Sequence, residues 1–406
     1  MSRFHIATDD EIRAGRTTDV YFARTREVLK AKGRDRVRVA AEVTAGRIPG
    51  GEPWGVLCGV EEVARLFEGV PVYVYSMPEG SVFRPSDARG VREPVLLIEG
   101  AYYDFCALET PLLGLLCQES GVASRAANVR IAAGKKPVVA FGIRRMHPAL
   151  APALDRAAYI GGLDGVSSLK GAEAIGAKPM GTMPHALMVV FGDQVAAWRA
   201  FDEVMPPDVP RVALVDTYFD EKTEAVMAAD ALGDRLGAVR LDTPGSRRGD
   251  FAAIIREVRW ELDLRGHDHV NIFISGGLDA EAVRALGEAG ADAFGVGTYI
   301  SGAPTVDFAL DIVEVEGRPA AKRGKMGGRK QVWRCPRCIT DIVQAYGRPM
   351  PRCPRCGGET EAMLRPLVRN GEIVAELPEP SRIRERVLDQ IGRLSSKQRG
   401  EREPTK

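Results

Sequence analysis

His185 closes the stretch Gly181-Thr-Met-Pro-His185 and is one of only five histidines in 406 residues. Imidazole changes charge nearest neutral pH and is a good nucleophile, so a histidine at a strand end invites acid–base or covalent chemistry. A surface or satisfied-core histidine is the ordinary alternative. Asp216 and Asp242 each close a short apolar run, VALVD and AVRLD. Carboxylates there either cap a helix or turn, or bind ribose hydroxyls or a Mg²⁺ that carries phosphate ligands. Arg144-Arg145 follow Phe141-Gly142, where two guanidinium forks can clamp an anion or simply face solvent. Ser275-Gly276-Gly277 and Gly295-Val296-Gly297-Thr298 end two further runs. Glycine lets backbone N–H groups approach phosphate oxygens, although a tight turn asks for it too.

A second constellation is Cys335-Pro-Arg-Cys338, fourteen residues, then Cys353-Pro-Arg-Cys356. Two CxxC knuckles at this distance place four thiolates for one tetrahedral Zn²⁺. With the coordination sphere filled, that metal is structural rather than catalytic. A disulfide pair is the competitor, disfavoured in a reducing compartment. Arg334, Arg337, Arg352 and Arg355 flank the knuckles and would allow nucleic-acid contact, but stapling the fold is the favoured role. Cys58, Cys106 and Cys117 lie among apolar neighbours and read as small core residues.

Positioning these groups requires a frame. From 137 to 297, short apolar runs end in Gly, Ser, Asp or Thr: PVVAFG, AYIGG, AKPMGT, RVALVDT, AVRLDT, VNIFISGG and ADAFGVGT. Helix-like segments separate several of them: HALMVVFGDQVAAWRAFDEV, EKTEAVMAADALGDRL, DFAAIIREVRWELDLRG and AEAVRALGEAG. Apolar strands alternating with amphipathic helices predict an α/β fold with parallel sheet, an irregular (β/α) barrel in preference to an open doubly wound sheet. In a barrel the chemistry sits at the carboxyl ends of the strands and phosphate binds after the last two, where the following helices, such as DAEAVRALG, offer positive N-termini.

Residues 1–105 have another texture, with strand-like RVRVAAEVTAG, VPVYVYSMPEG and EPVLLIEG predicting a separate α+β layer. TPLLGLLCQESGVASRAANVRIAAG predicts a long helix stopping at Gly134. DFALDIVEVEGRP reads as strand and turn, KRGKMGGRK (322–330) as a solvated linker rather than a phosphate loop, and PSRIRERVLDQIGRLSSKQ as an amphipathic helix. The closing REPTK reads as a fraying end. The five segments expected are an N-terminal sandwich at 1–110, a barrel at 111–302, a return strand and linker at 303–330, a knuckle at 331–360 and a strand and helix packing on the sandwich at 361–406.

With 56 basic and 55 acidic residues, no global field favours nucleic acid or anionic lipid. No apolar run approaches the ~20 residues of a membrane helix, and MSRFHIATDDE lacks the apolar core of a signal peptide. A cytoplasmic enzyme or binding protein is the expectation.

FGIRR (141–145), GGLDGVSS (161–168), GTMPHAL (181–187), VRLDTPG (239–245), ISGGLD (274–279) and GVGT (295–298) occur in one order, with TTDVYF (17–22) and YYDFCALETPLLGLL (102–116) upstream. This ordered set resembles the nicotinate phosphoribosyltransferases, and the four-cysteine knuckle resembles their short archaeal and bacterial branch. The resemblance implies a sandwich, an irregular barrel and a zinc knuckle. It implies transfer of phosphoribose from phosphoribosyl pyrophosphate to nicotinate, in NAD salvage, with Mg²⁺. It also implies ATP hydrolysis coupled through one phosphorylated histidine, which falls on His185. By the same resemblance Phe141 stacks on the pyridine and Tyr21 brings a second ring from a neighbouring subunit, so a homodimer or larger homo-oligomer follows. Arg144 meets the nicotinate carboxylate with Ser167 nearby, Asp242 contacts ribose or Mg²⁺-pyrophosphate, and the two glycine turns hold the 5′-phosphate. The loop TPGSRRGD is longer than the family's Asp-Ser-Gly-Asp pattern, which leaves Asp242 and Asp250 as alternatives for assisting the metal. Quinolinate and nicotinamide phosphoribosyltransferases are the near rivals, and a zinc-ribbon nucleic-acid-binding protein is the rival from another class. Chain length, GTMPHAL and the zinc knuckle favour nicotinate over quinolinate, and Ser167 favours it over nicotinamide.

Overall fold

A computed structural model describes residues 4–400, so REPTK lies outside the described residues. Two compact units divide the chain: one holds residues up to 124, 160–162 and those from 304 onward, the other 125–159 and 163–303.

The second unit is built on six parallel strands. Their order is Gly165–Val166, Val138–Ala140, Ala293–Val296, Asn271–Ser275, Ala238–Leu241 and Val212–Leu214. Val138, Val239, Ile272, Ile274, Phe294 and Val296 are all fully buried, as strands covered on both faces must be. Helices Glu221–Leu232, Phe251–Leu264 and Ala280–Glu288 follow three of these strands. Each begins on an aspartate cap: Asp220 accepts from the Thr223 N–H, Asp250 from Ala253 and Asp279 from Ala282. The sheet is α/β as expected, yet no strand pairing closes it among the described residues.

Two of the seven expected strands are not strands. AYIGG is the end of helix Ala151–Ile160, because its apolar residues complete that helix's buried face, and the strand is the later Gly165–Val166. AKPMGT carries a proline and makes one ladder-like bond, Met180 N–H to Val166 O at 2.8 Å. It runs on beside the short edge strand, and Gly165 lets it approach: a Cβ there would lie 2.2 Å from the Met180 sulfur. The long segment after His185 is also two helices, His185–Phe191 and Gln194–Val204. Gly192 (φ +71°) ends the first and Asp193 caps the second.

The first unit centres on an antiparallel sheet. It runs Arg318–Pro319, Phe308–Val315, Arg38–Ala45, Pro94–Ala101, Tyr73–Ser76, Arg365–Arg369 and Glu372–Ile373. Val43, Val74, Leu96 and Ile98 fill its core with Leu112 and Leu116 of helix Glu109–Ala133, which stops at Gly134 (φ +62°). Glu42 and Asp311 stand opposite each other on adjacent strands, and both are buried. KRGKMGGRK neutralises them, so it is not a solvated linker. Lys330 reaches Glu42 at 2.9 Å, Lys322 and Lys325 each reach Asp311 at 2.6 Å, and Arg329 pairs with Glu99. Leaving two carboxylates buried and unpaired would cost several kcal/mol each, at order of magnitude, which is why this stretch lies down on the sheet.

Candidate active site

Three strand ends of the parallel sheet carry Asp216, Asp242 and Ser275, and the first residue of a helix brings His185 to them. His185 opens its helix, with Nδ1 3.2 Å from Thr217 Oγ1. Its Nε2 lies 3.7 Å from Asp216 Oδ1 and 3.7 Å from Asp242 Oδ2, ion-pair rather than hydrogen-bond distances. Neither aspartate caps a helix. Asp216 instead accepts the Asp242 N–H at 2.8 Å and the Thr243 hydroxyl at 3.2 Å, while its Oδ1 is buried without a hydrogen bond. Glu224, fully buried on the next helix, collects the N–H groups of Thr217, Tyr218 and Phe219 and so fixes the loop after Asp216.

The two aspartates are driven apart electrostatically. Burial pushes the Asp216 carboxyl up, against the pull of His185 and the Asp242 N–H. Burial also works to raise Asp242, but His185, Arg240 and Ser275 outweigh it and hold that carboxyl at about 2. Asp242 in turn keeps His185 protonated to higher pH than an ordinary histidine, over the opposing effect of burial, with Asp216 adding to the rise. A half-exposed imidazolium between one firmly ionised and one more easily protonated carboxylate is therefore the resting arrangement at moderately low pH.

Arg240 organises the network. Its Nε donates to Ser275 Oγ at 2.8 Å, Ser275 Oγ donates to Asp242 Oδ1 at 2.6 Å, and its Nη1 donates to Thr182 Oγ1 at 2.7 Å. The guanidinium also stands 5.3 Å from the centre of the Phe141 ring. Phe141 is tilted against Phe273, ring centres 5.8 Å apart, and covers Gly295, where a Cβ would fall 2.4 Å from two of its carbons. Arg144 and Arg145 follow in an exposed 3₁₀ turn and form no ion pair among the described residues, so both guanidiniums are available. Ser167 is half-buried just past the Gly165–Val166 strand, its N–H bonded to Ala140 O.

Of the glycine turns, Gly276 (φ +86°) and Gly277 (φ +60°) have the left-handed backbone expected of an anion-binding turn, whereas Gly295 and Gly297 do not. Thr298 opens a helix of only four residues. The helix after Gly277 does not present a bare N-terminus either, because Asp279 already caps it. Asp250 is likewise occupied as a cap, so of Asp242 and Asp250 it is Asp242 that stands beside the histidine.

The other residues singled out lie in the first unit. Tyr21 sits exposed on helix Val20–Ala31, beside buried Phe22. The sulfurs of Cys335, Cys338, Cys353 and Cys356 lie within 4.8 Å of one another, Cys335 and Cys356 at 3.6 Å. Four thiolates about 2.3 Å from a common centre need separations of that order, so the donor set fits Zn²⁺. Arg334 cannot serve nucleic acid, because it is buried and paired with Asp341 at 2.7 Å. Cys58 is not merely apolar packing: its thiol faces the carboxylates of Glu79 and Glu119.

Arg240, Thr217, Thr243 and Arg248 escaped the reading of the sequence. Arg240 left a signal, a cation inside the apolar run AVRLD, and the repeated Asp-Thr at 216–217 and 242–243 left another.

Comparison with known proteins supplies a second line of observation. Residues 19–120 match the N-terminal domain of quinolinate phosphoribosyl transferase and residues 122–311 its C-terminal domain. The nicotinate phosphoribosyltransferase pncB1 of Mycobacterium tuberculosis is 31% identical, over 91% of this chain and 88% of its own length. A nicotinate-nucleotide pyrophosphorylase of Pyrococcus furiosus shares 57% identity with a TM-score of 0.93, covering 97% of this chain and 99% of that one. Human nicotinic acid phosphoribosyltransferase has the same fold at 21% identity, TM-score 0.74, over 93% of this chain and 94% of its own. Among the described residues, no helix is long and apolar enough to cross a membrane.

Proposed function

Because the chain belongs to the quinolinate and nicotinate phosphoribosyltransferase family, the phosphoribosyltransferases of NAD biosynthesis, we propose that its acceptor is nicotinate. Phosphoribosyl pyrophosphate is the donor, nicotinate mononucleotide and pyrophosphate are the products, and ATP is coupled through His185. The observation that carries this reading is His185 itself, set at the start of a helix between Asp216 and Asp242 with its Nε2 3.7 Å from each. Neither displacement at ribose C1 nor attack by the pyridine nitrogen needs a base, so an imidazole so placed serves another step. Phosphorylation of its nitrogen by ATP suits a ring steadied by Thr217 on one side and open to the site on the other.

The cations left for an acceptor carboxylate lie in one exposed turn. Arg240 and Arg248 are spent on Asp242, Ser275 and backbone carbonyls, leaving Arg144 and Arg145 as the free forks beside Phe141. Quinolinate is the second reading, on the strength of the matching family model. Asp216 Oδ1, buried and without a hydrogen bond, and Asp242 are the oxygens that fit Mg²⁺, which when bound neutralises charge on departing pyrophosphate. Phe141 holds the pyridine in line, and Tyr21 of a second copy supplies the other ring, which makes the working enzyme a homodimer at least. The four-cysteine cluster holds structural Zn²⁺.

Labelled donor offered to nicotinate, quinolinate or nicotinamide, with and without ATP, tests the assignment. Nicotinate alone should be turned over, and ATP should stimulate it. His185→Ala should keep residual transfer while losing the stimulation, and γ-labelled ATP should leave acid-labile label on the His185 peptide of the native chain only. Preference for quinolinate, or stimulation that survives in the variant, refutes the reading.

A further inference from the structure

Arg248 lies half-buried behind the Ser275–Gly277 turn, and its hydrogen bonds go to backbone rather than to carboxylates. Its Nε donates to Thr243 O at 2.7 Å, and its Nη2 donates to Ser275 O at 3.0 Å and to Gly276 O. Among the described residues it forms no ion pair, and the Phe251 ring supports the guanidinium at 4.9 Å. A trans peptide sets each C=O opposite the next N–H. With the carbonyls of Ser275 and Gly276 drawn to Arg248, the N–H groups of Gly276 and Gly277 face the other way. Neither finds an acceptor within the protein among the described residues. Gly277 borders open space, whereas a Cβ on Gly276 would come within 3.1 Å of Arg248 and Asp242. Two successive N–H groups on positive-φ residues form an anion-binding concavity, and a guanidinium that makes no hydrogen bond to a carboxylate, though it feels Asp242 and Asp216, stands behind this one.

We propose that Arg248 is a positioning residue that pins two carbonyls of this turn and thereby presets its N–H groups as a cradle for the 5′-phosphate of the donor. The proposal rests on the reading of Ser275–Gly277 as the donor's phosphate site. It assigns a task to the loop 243–250, the segment in which this chain departs from the shorter family pattern.

The test is Arg248→Ala beside Arg248→Lys in the full-length chain, with melting temperature and circular dichroism confirming that both fold. Arg248→Ala should raise the KM for phosphoribosyl pyrophosphate about tenfold or more, leaving the KM for nicotinate within about twofold, because a cradle that must be ordered on binding binds more weakly. Calorimetry with ribose 5-phosphate should show a matching loss. Lysine keeps the charge but lacks the fork, so Arg248→Lys should fall between the two. Equal donor affinity in Arg248→Ala, a parallel change in both KM values, or full recovery by lysine each overturns the proposal. If Arg248→Ala does not fold, the lysine variant decides alone. A native chain that transfers phosphoribose while Arg248→Ala keeps its donor affinity sinks this inference and leaves the functional reading intact. A native chain that turns over no pyridine acid sinks that reading, and ribose 5-phosphate binding still decides the role of Arg248.

Discussion

Gly295→Ala tests the positioning of the Phe141 ring. The added Cβ would lie 2.4 Å from Cδ2 and from Cε2 of Phe141, and 3.1 Å from Cε1 of Phe273. Carbon atoms rest about 3.5 Å apart, so the Phe141 ring must recede by roughly 1 Å. It has little room to do so. Phe273 packs on it at 5.8 Å between centres, and Arg240, itself tied to Ser275 and Thr182, stands 5.3 Å away. Overpacking of this kind costs about 1–3 kcal/mol of stability. A 1 Å displacement of a positioning group is worth up to about 100-fold in rate. Gly295→Ala should therefore lower kcat/KM for nicotinate by roughly 10- to 100-fold, with donor KM little changed and the melting temperature reduced. Gly181→Ala is the matched control: it lies in the His185 segment, yet its Cβ would meet nothing within 4 Å. It should behave as the native chain in steady-state assays with each substrate varied in turn. Unchanged nicotinate kcat/KM in Gly295→Ala would refute the stacking geometry, as would an equal loss in Gly181→Ala.

The proposed phosphate transfer to His185 would need the neutral imidazole, and Asp242 raises the pKa of that ring. Labelling by γ-labelled ATP should rise with pH through that elevated value, and Asp242→Asn should shift the profile to lower pH; an unshifted profile speaks against the pair. The stabilising contact follows the same signs. His185 contributes fully below the ordinary histidine value and loses its contribution as pH rises through its raised one, whereas Asp242 contributes above the usual carboxylate range and is lost as pH falls toward about 2. Denaturant midpoints of native chain and His185→Ala against pH would show the difference narrowing as pH rises through the raised histidine value. Atomic spectrometry should find one zinc per chain, and Cys335→Ser or prolonged chelation should abolish it and lower the melting temperature by several degrees or more. A metal-free native chain with the same melting temperature would remove the structural assignment.

How much of this could be read from residues alone depends on the range of the interactions. Asp216, Asp242 and Ser275 were legible as strand ends because each closes an apolar run, a local pattern set by burial of the strand interior. That they share one face was legible too, since parallel strands put their carboxyl ends on one side, but the bond from the Asp242 N–H to Asp216 was not, since it depends on which strands lie side by side. AYIGG misled for a related reason: five apolar and small residues suit the last turn of a helix as well as a strand, and only the packing of Ala151–Ile160 decides. The basic stretch 322–330 has a linker's composition, but its partners Glu42 and Glu99 lie more than 200 residues away in sequence. The helix caps show the converse. Asp220, Asp250 and Asp279 each bind an N–H three residues on, so their role is local, and recognising it separates them from Asp216 and Asp242. With the three caps set aside, the two remaining strand-end aspartates are the pair that face His185. The electrostatics set the same two residues apart, one carboxyl raised by burial and one held low by its partners.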